Sequence, residues 1–478
     1  MTDFTVNTLK TFKPKQVFPK MAGIGFELYK ILHKGTLSSI LRAFFLGIII
    51  VAGPWILSVI SIYLIQKFAF SAISENPALF TVTIVYVYAF SLFLFGGIHY
   101  IFSRYIADML YIEDHESIPP ALISIIAVVV FLSCLITTTF IYFNDFSFVR
   151  NEILYAVSLV FLFAVINILW IMLIYVALLK EYNKIFLTYL SGTIISLLGV
   201  FILGDLYGVS GALLGYTTGQ FAIIFILLLI SLKSYPIKSL TLNIYMFKYF
   251  SEFKYLFFMG LFFNMAIWAD KIIYWFTVGT NIPGTYFYHF ISYDIPVFLA
   301  YISMIPGLVY FLVVSETKFH TKYLDFVKNL LTDTIKEMDL RKEAMLSALV
   351  KGATGLVLFQ LVWTAALIFN IKRVIVFMGY PQINVMIMSI LLIAVFFHMC
   401  SLVLQIYLLY LELRKEALLA ALLYFLCNTC FTVTGIFYLP LVPGISYLAA
   451  SMVSSLYCLY HLSQKAPVID FILFTKSS

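Results

Sequence analysis

Apolar runs of about 20 residues recur from one end of the chain to the other, separated by short polar, proline or glycine breaks. Each is long enough to cross a hydrocarbon core of about 30 Å as a helix. The breaks place spans near residues 40–66, 79–102, 121–143, 153–179, 185–204 and 208–232, and a second set near 253–278, 295–314, 345–369, 383–411, 417–438 and 445–462. The pattern predicts an all-α polytopic membrane protein of about twelve transmembrane helices in two lobes of six. The corresponding divisions are an N-terminal arm over 1–39, a first lobe over 40–232, a linker over 233–252, a second lobe over 253–463 and a tail over 464–478. Within the second lobe, 316–342 is amphipathic: Phe319, Tyr323, Phe326, Leu330, Ile335 and Met338 share one broad helical face, with Lys322, Asp325, Lys328 and Lys336 off it. A helix lying among lipid headgroups and a loop covering the bundle both answer to that pattern.

Basic residues check the span count independently, because Lys and Arg are retained on the cytoplasmic side. With the N-terminus inside, only Lys67, Arg150, Lys372 and Arg373 of the 30 Lys and Arg fall on the outer side, and Lys271 lies within a span. One span missed or added would swap every downstream loop and erase this bias. The chain is therefore expected in the cytoplasmic (inner) membrane, multi-pass, with both termini cytoplasmic. The stretch before residue 20 is basic and lacks the apolar core of a cleavable signal, so it reads as a cytoplasmic arm.

Composition narrows the function classes. Hydrophobic residues make up 63% and charged residues 11%, with mean hydropathy +1.02, against about 25% charged in soluble domains. The bilayer is thus the solvent for most of the chain, and no nucleic-acid partner is expected. There is no P-loop, no HExxH helix and no soluble stretch large enough for a glycosyltransferase, so an enzyme is not expected and no cofactor or metal is implied. All five cysteines fall inside apolar spans, and Cys427 and Cys430, despite redox-like spacing, read as small core residues at lipid depth. His99, His289, His398 and His461 show no metal-ligand spacing. Any energy must come from an ion gradient, from polymer growth by a partner or from a downstream sink, and the coupling ion is left open.

Several features could carry function. Asn264, Trp268, Asp270 and Lys271 lie in the seventh span, where an ionised group costs several kcal/mol unless it meets a partner or water. Asp270 and Lys271 leave the helix about 100° apart, so they are not expected to face each other, and each should meet a group on another helix or in a cavity. A buried polar knot is the competing reading. Pro54 and Trp55 mark a kink in the first span, and Pro306, after Asp294 and Pro296, marks another in the eighth. Gly208, Gly211, Gly215 and Gly219 line one face of the sixth span, which favours close helix packing. Tyr286, Tyr288, His289 and Tyr293 cluster just before Asp294, with ring faces and polar tips suited to sugars or to interfacial anchoring.

Several of these motifs, in order, carry a resemblance. Residues 21–28 (MAGIGFEL), the Gly53-Pro54-Trp55 kink, Ile267 to Lys271, Tyr293 to Tyr301, Ile305 to Gly307 and Ser315 to Thr317 resemble the PelG family of Pel exopolysaccharide transporters, from Met21 to about the last span. That family is similar to the multidrug, oligosaccharidyl-lipid and polysaccharide exporter superfamily, which implies a MATE/Wzx-like exporter with two six-helix lobes around a central cavity. Residues 208–215 also look like that superfamily's sixth helix. The resemblance implies export of a polysaccharide rich in N-acetylgalactosamine, made by a cytoplasmic Pel-type glycosyltransferase and accompanied by other membrane subunits of a synthase complex. On this reading Asp270, Lys271, Trp268 and Asn264 border the substrate pathway, with Asp294, Trp55 and Pro54 as further candidates. The alternatives are an ion-coupled flippase for lipid-linked oligosaccharides or amphiphilic drugs, and a membrane scaffold for a synthase.

Overall fold

The computed structural model describes residues 77–178, 182–236, 242–330, 332–439 and 441–477, with isolated positions between 36 and 73. The first predicted span, with Pro54 and Trp55, lies outside the described residues, as does nearly all of the arm over 1–39. Long stretches dominated by Leu, Ile, Val and Phe become helices because every backbone group is then satisfied within its own segment. In chain order these are α1 (Pro77–Tyr111), α2 (Ile118–Tyr142), α3 (Glu152–Leu178), α4 (Tyr182–Ser234), α5 (Tyr245–Glu252) and α6 (Lys254–Val278). A two-stranded hairpin, β1 (Thr280–Asn281) and β2 (Tyr288–His289), leads to α7 (Ile291–Ile302), α8 (Ile305–Tyr310), a π-helical turn (Phe311–Glu316) and α9 (Thr317–Asn329). Then follow α10 (Ile335–Phe369), α11 (Ile371–Phe377), α12 (Val385–Tyr410), α13 (Arg414–Phe437), α14 (Ile445–Lys465) and α15 (Ile469–Ser477). Ten stretches among the described residues are long and apolar enough to cross a membrane.

One of the ten is a folded-back pair. In α4, Gly208 leaves helical geometry at φ 62° and ψ −141°, a conformation glycine adopts without steric cost. The two arms then run back along each other at backbone distance. A Cβ added at Gly215 would lie 2.2 Å from the carbonyl carbon of Gly199, and one at Gly219 would lie 2.0 Å from Ser196 Oγ. The glycine face expected in the sixth span is therefore a packing surface against the fifth, with Gly208 serving as the turn and not as part of the face.

By contacts, the described chain groups into two compact units. One holds residues 77–295 and Ala421–Ser446; the other holds Pro296–Ala420 and residues 447–477. In the first of these units α6 groups with α1. Glycines permit this: Cβ atoms at Gly96 and Gly260 would sit 2.5 Å from Asn264 Nδ2 and 2.3 Å from the Tyr100 ring. The linker itself holds a short helix, α5, and Asn243 ahead of it is tied to the first unit. Its backbone N–H donates to Ser124 Oγ at 2.7 Å, and its Nδ2 donates to Tyr105 Oη at 2.7 Å.

The break expected at Pro306 is present: α7 ends at Ile302, and α8 begins with the proline in its first turn. The amphipathic 316–342 stretch does not form one surface helix. Phe319 and Phe326 are buried on α9, but Thr334 and Glu337 form a capping box that starts α10, leaving Ile335 78% exposed. A new N-terminus resets the helical phase, so the single apolar face stops near Leu330.

Candidate functional site: a buried acid, base, tyrosine and amide

The site is built on α6, in the first unit. Apolar residues supply most of this helix, so the polar groups of Asp270 and Lys271 need partners supplied by the fold. Asp270 is fully buried and Lys271 is 3% exposed. Lys271 Nζ donates to Asp270 Oδ1 at 3.1 Å and to the backbone oxygen of Ile267 at 2.7 Å. The expectation that these neighbours do not pair is corrected: the four-carbon lysine stem bends back over its own helix and spans the 100° between the two directions.

Asp270 does meet groups from other helices, as expected. Tyr293, at the start of α7, donates its hydroxyl to Asp270 Oδ2. Asn428 of α13 donates through Nδ2 to Asp270 Oδ1 at 3.2 Å and to the backbone oxygen of Ala266 at 2.8 Å. Asp270 thus accepts from an ammonium, a phenol and an amide, a set able to hold a carboxylate in a dry interior. Both side chains are buried among the described residues.

Asp294 sits one turn beyond the node and is half-buried. It accepts from Trp275 Nε1 at 2.9 Å and from the backbone N–H of Phe290 at 2.9 Å. Trp275 stacks on Tyr86 with ring centroids 4.8 Å apart. Tyr86 in turn donates to the backbone oxygen of Tyr288 at 3.0 Å and accepts from its N–H at 2.9 Å, pinning the hairpin to α1. On the outer side of that hairpin, Tyr286 N–H donates to Asn144 Oδ1 at 2.7 Å. Of the tyrosine cluster read from the sequence, Tyr286 and Tyr288 clasp the hairpin through their backbones to the loop after α2 and to α1, while Tyr293 belongs to the Asp270 node.

Asn264 and Trp268 lie apart from the node on the half-buried face of α6. Asn264 Nδ2 donates to the backbone oxygen of Gly260 at 2.8 Å. The Trp268 indole N–H is buried without a hydrogen-bond partner among the described residues. The structure therefore brings together Asp270, Lys271 and, one turn away, Asp294; it leaves Asn264 and Trp268 beside them, while Pro54 and Trp55 lie outside the described residues. Sequence reasoning missed Asn428 as a site residue. Its signal was available, since an amide within an apolar span needs a buried partner. Trp275 and Tyr86 carry no sequence signal that separates them from other membrane aromatics.

The fold is similar to that of solved MATE-type transporters. It is similar to an outward-facing multidrug resistance MATE family transporter of the MOP superfamily, at 13% identity over 88% of this chain and 96% of that one, with a TM-score of 0.58. A eukaryotic MATE transporter is similar at 12% identity over 95% and 99% of the two chains, with a TM-score of 0.58. A MOP superfamily transporter from Pyrococcus furiosus is similar at 13% identity over 88% and 96%, with a TM-score of 0.53. The architecture is that of a MATE-type transporter. Residues 21–474 match the PelG family model, described as "Putative exopolysaccharide Exporter (EPS-E)", and the chain belongs to that family. A search of curated proteins finds no match to this sequence.

Proposed function

We propose that this protein exports an exopolysaccharide across the cytoplasmic membrane, a Pel-like polymer rich in N-acetylgalactosamine, working with a cytoplasmic glycosyltransferase and other membrane subunits of a synthase. The observation that carries the reading is the family match over residues 21–474 on a MATE-type transporter fold. The half-buried face of α6 with Asn264 and Trp268, and Asp294 beyond it, supplies the polar and aromatic contacts that a sugar chain needs. Asp270 and Lys271 act one layer behind. Sealed with Tyr293 and Asn428, they hold three helices together, and release of that node accompanies movement of the polymer.

The test is secretion. Cells that keep the polymer-making enzyme but lack this chain are expected to release no polymer, and restoring the chain restores release. Unchanged secretion without it would sink the reading. An ion-coupled flippase or amphiphile exporter is favoured by one observation: the site carries two carboxylates, Asp270 and Asp294, against one ammonium, so a proton or cation would neutralise it. Drug resistance conferred without the polymer-making enzyme would identify that second activity.

A further inference from the structure

The second unit contains a carboxylate that the reading above does not use. Glu316 closes the π-helical turn Phe311–Glu316, which is inserted between α8 and α9. Single π turns widen a helix by one residue per turn and frequently mark functional positions. Here the turn is held by two side chains: Ser315 Oγ donates to the backbone oxygen of Gly352 on α10 at 3.0 Å, and Thr317 Oγ1 donates to that of Leu312 at 3.0 Å. Gly352 is small for a reason, since a Cβ there would lie 3.1 Å from Ser315 Cβ and 3.2 Å from Tyr407 Oη.

Among the described residues, the fold assembles aromatic side chains around Glu316 and no ion-pair partner for it. Tyr410 of α12 donates to Glu316 Oε1 at 2.7 Å. The Tyr407 hydroxyl, one turn earlier, is buried within electrostatic reach of the carboxylate and has no hydrogen-bond partner among the described residues. Phe319 packs edge-on against both tyrosines, at 5.0 and 5.4 Å. The other titratable groups nearby are His320 and Tyr323 of α9, whose rings lie 5.9 and 5.7 Å from that of Tyr410, and Lys351 of α10, which is exposed. Among the described residues Glu316 forms no ion pair. An unpaired carboxylate in a membrane-spanning stretch is costly while charged and cheap once protonated.

We propose that Glu316 is a proton-binding site in which the two tyrosines serve opposite protonation states. The ionised carboxylate accepts from Tyr410. The neutral acid gains an O–H, for which the unpartnered Tyr407 oxygen is the waiting acceptor. Binding one proton from solvent therefore moves a hydrogen bond along α12 and relaxes the charge held at the π turn. The inference stands apart from the identity of the exported substrate.

The experiment is infrared difference spectroscopy on the purified full-length protein in lipid nanodiscs, titrated from neutral to acid pH. A protonated-carboxyl C=O band is expected to appear, to be absent in Glu316→Gln and to persist in Asp270→Asn. Tyr410→Phe removes a donor to the charged form and is expected to raise the midpoint by about one pH unit; Tyr407→Phe removes the acceptor for the neutral form and lowers it by a similar amount. The proposal is overturned if the band survives Glu316→Gln, or if the two tyrosine variants move the midpoint in the same direction or leave it unmoved. A midpoint set by sodium concentration would overturn it in favour of a cation site. Should Glu316→Gln fail to fold, the opposed tyrosine shifts decide alone.

Discussion

Asp270 and Lys271 are an adjacent acid and base that the sequence places well inside a span, and their pairing follows from the cost of unpaired charge in hydrocarbon. Their partners were not legible. Tyr293 and Asn428 reach Asp270 from 23 and 158 positions away in sequence, and no local periodicity links such distances. A buried pair loses about 3–5 kcal/mol when one member is removed, because the other is left charged and unpaired. Lys271→Met alone is therefore expected to lower the melting midpoint of the solubilised protein sharply, whereas Asp270→Asn combined with Lys271→Met recovers most of it. Thermal size-exclusion profiles read the stability, and polymer release reads the function. A double variant that regains both stability and release would show the node to be a structural knot; regained stability without release supports its part in export.

At the scale of elements, breakers and glycines were readable because they act locally. Pro306 ends a helix by removing a donor and clashing with the preceding turn, and the glycines of α4 were expected to form a packing face. Which helix would fill that face required the fold. Gly215→Ala would push a Cβ to 2.2 Å from the backbone of Gly199, so the arms must separate; a loss of about 1–3 kcal/mol is expected from such overpacking. Gly435→Ala is the control, since the nearest atoms to its Cβ would be those of the Leu441 side chain, at 3.3 Å. Equal melting midpoints for the two variants would contradict the backbone contact. The π turn had no sequence signal: residues 311–316 suit an α-helix equally well, and the turn is held by Thr317 bonding locally to Leu312 and by Ser315 bonding to Gly352, which only the folded structure brings near.

At the scale of the molecule, the alternation of basic loops predicts sidedness. In a variant without the five native cysteines, Arg150→Cys is expected to react with a membrane-impermeant maleimide in intact cells with a permeabilised outer envelope. Lys336→Cys is expected to react only after the membrane is opened. The reverse pattern would invert the topology. Neither outcome depends on substrate, so this experiment separates an error in membrane orientation from one in function.

Hydrophobic run length and charge bias determined that the chain spans a membrane repeatedly, where most spans lie and which side each loop is expected to occupy. These are properties of short windows, set by transfer of apolar side chains into lipid and retention of cations at one surface. The tertiary structure decided that α6 groups with α1, that the 233–252 linker is anchored through Asn243, and that a lysine and an aspartate turned 100° apart on one helix close on each other under a tyrosine and an amide from two others. Those outcomes depend on which surfaces meet at backbone distance and on which buried polar atoms find partners, quantities that exist only once distant segments are packed.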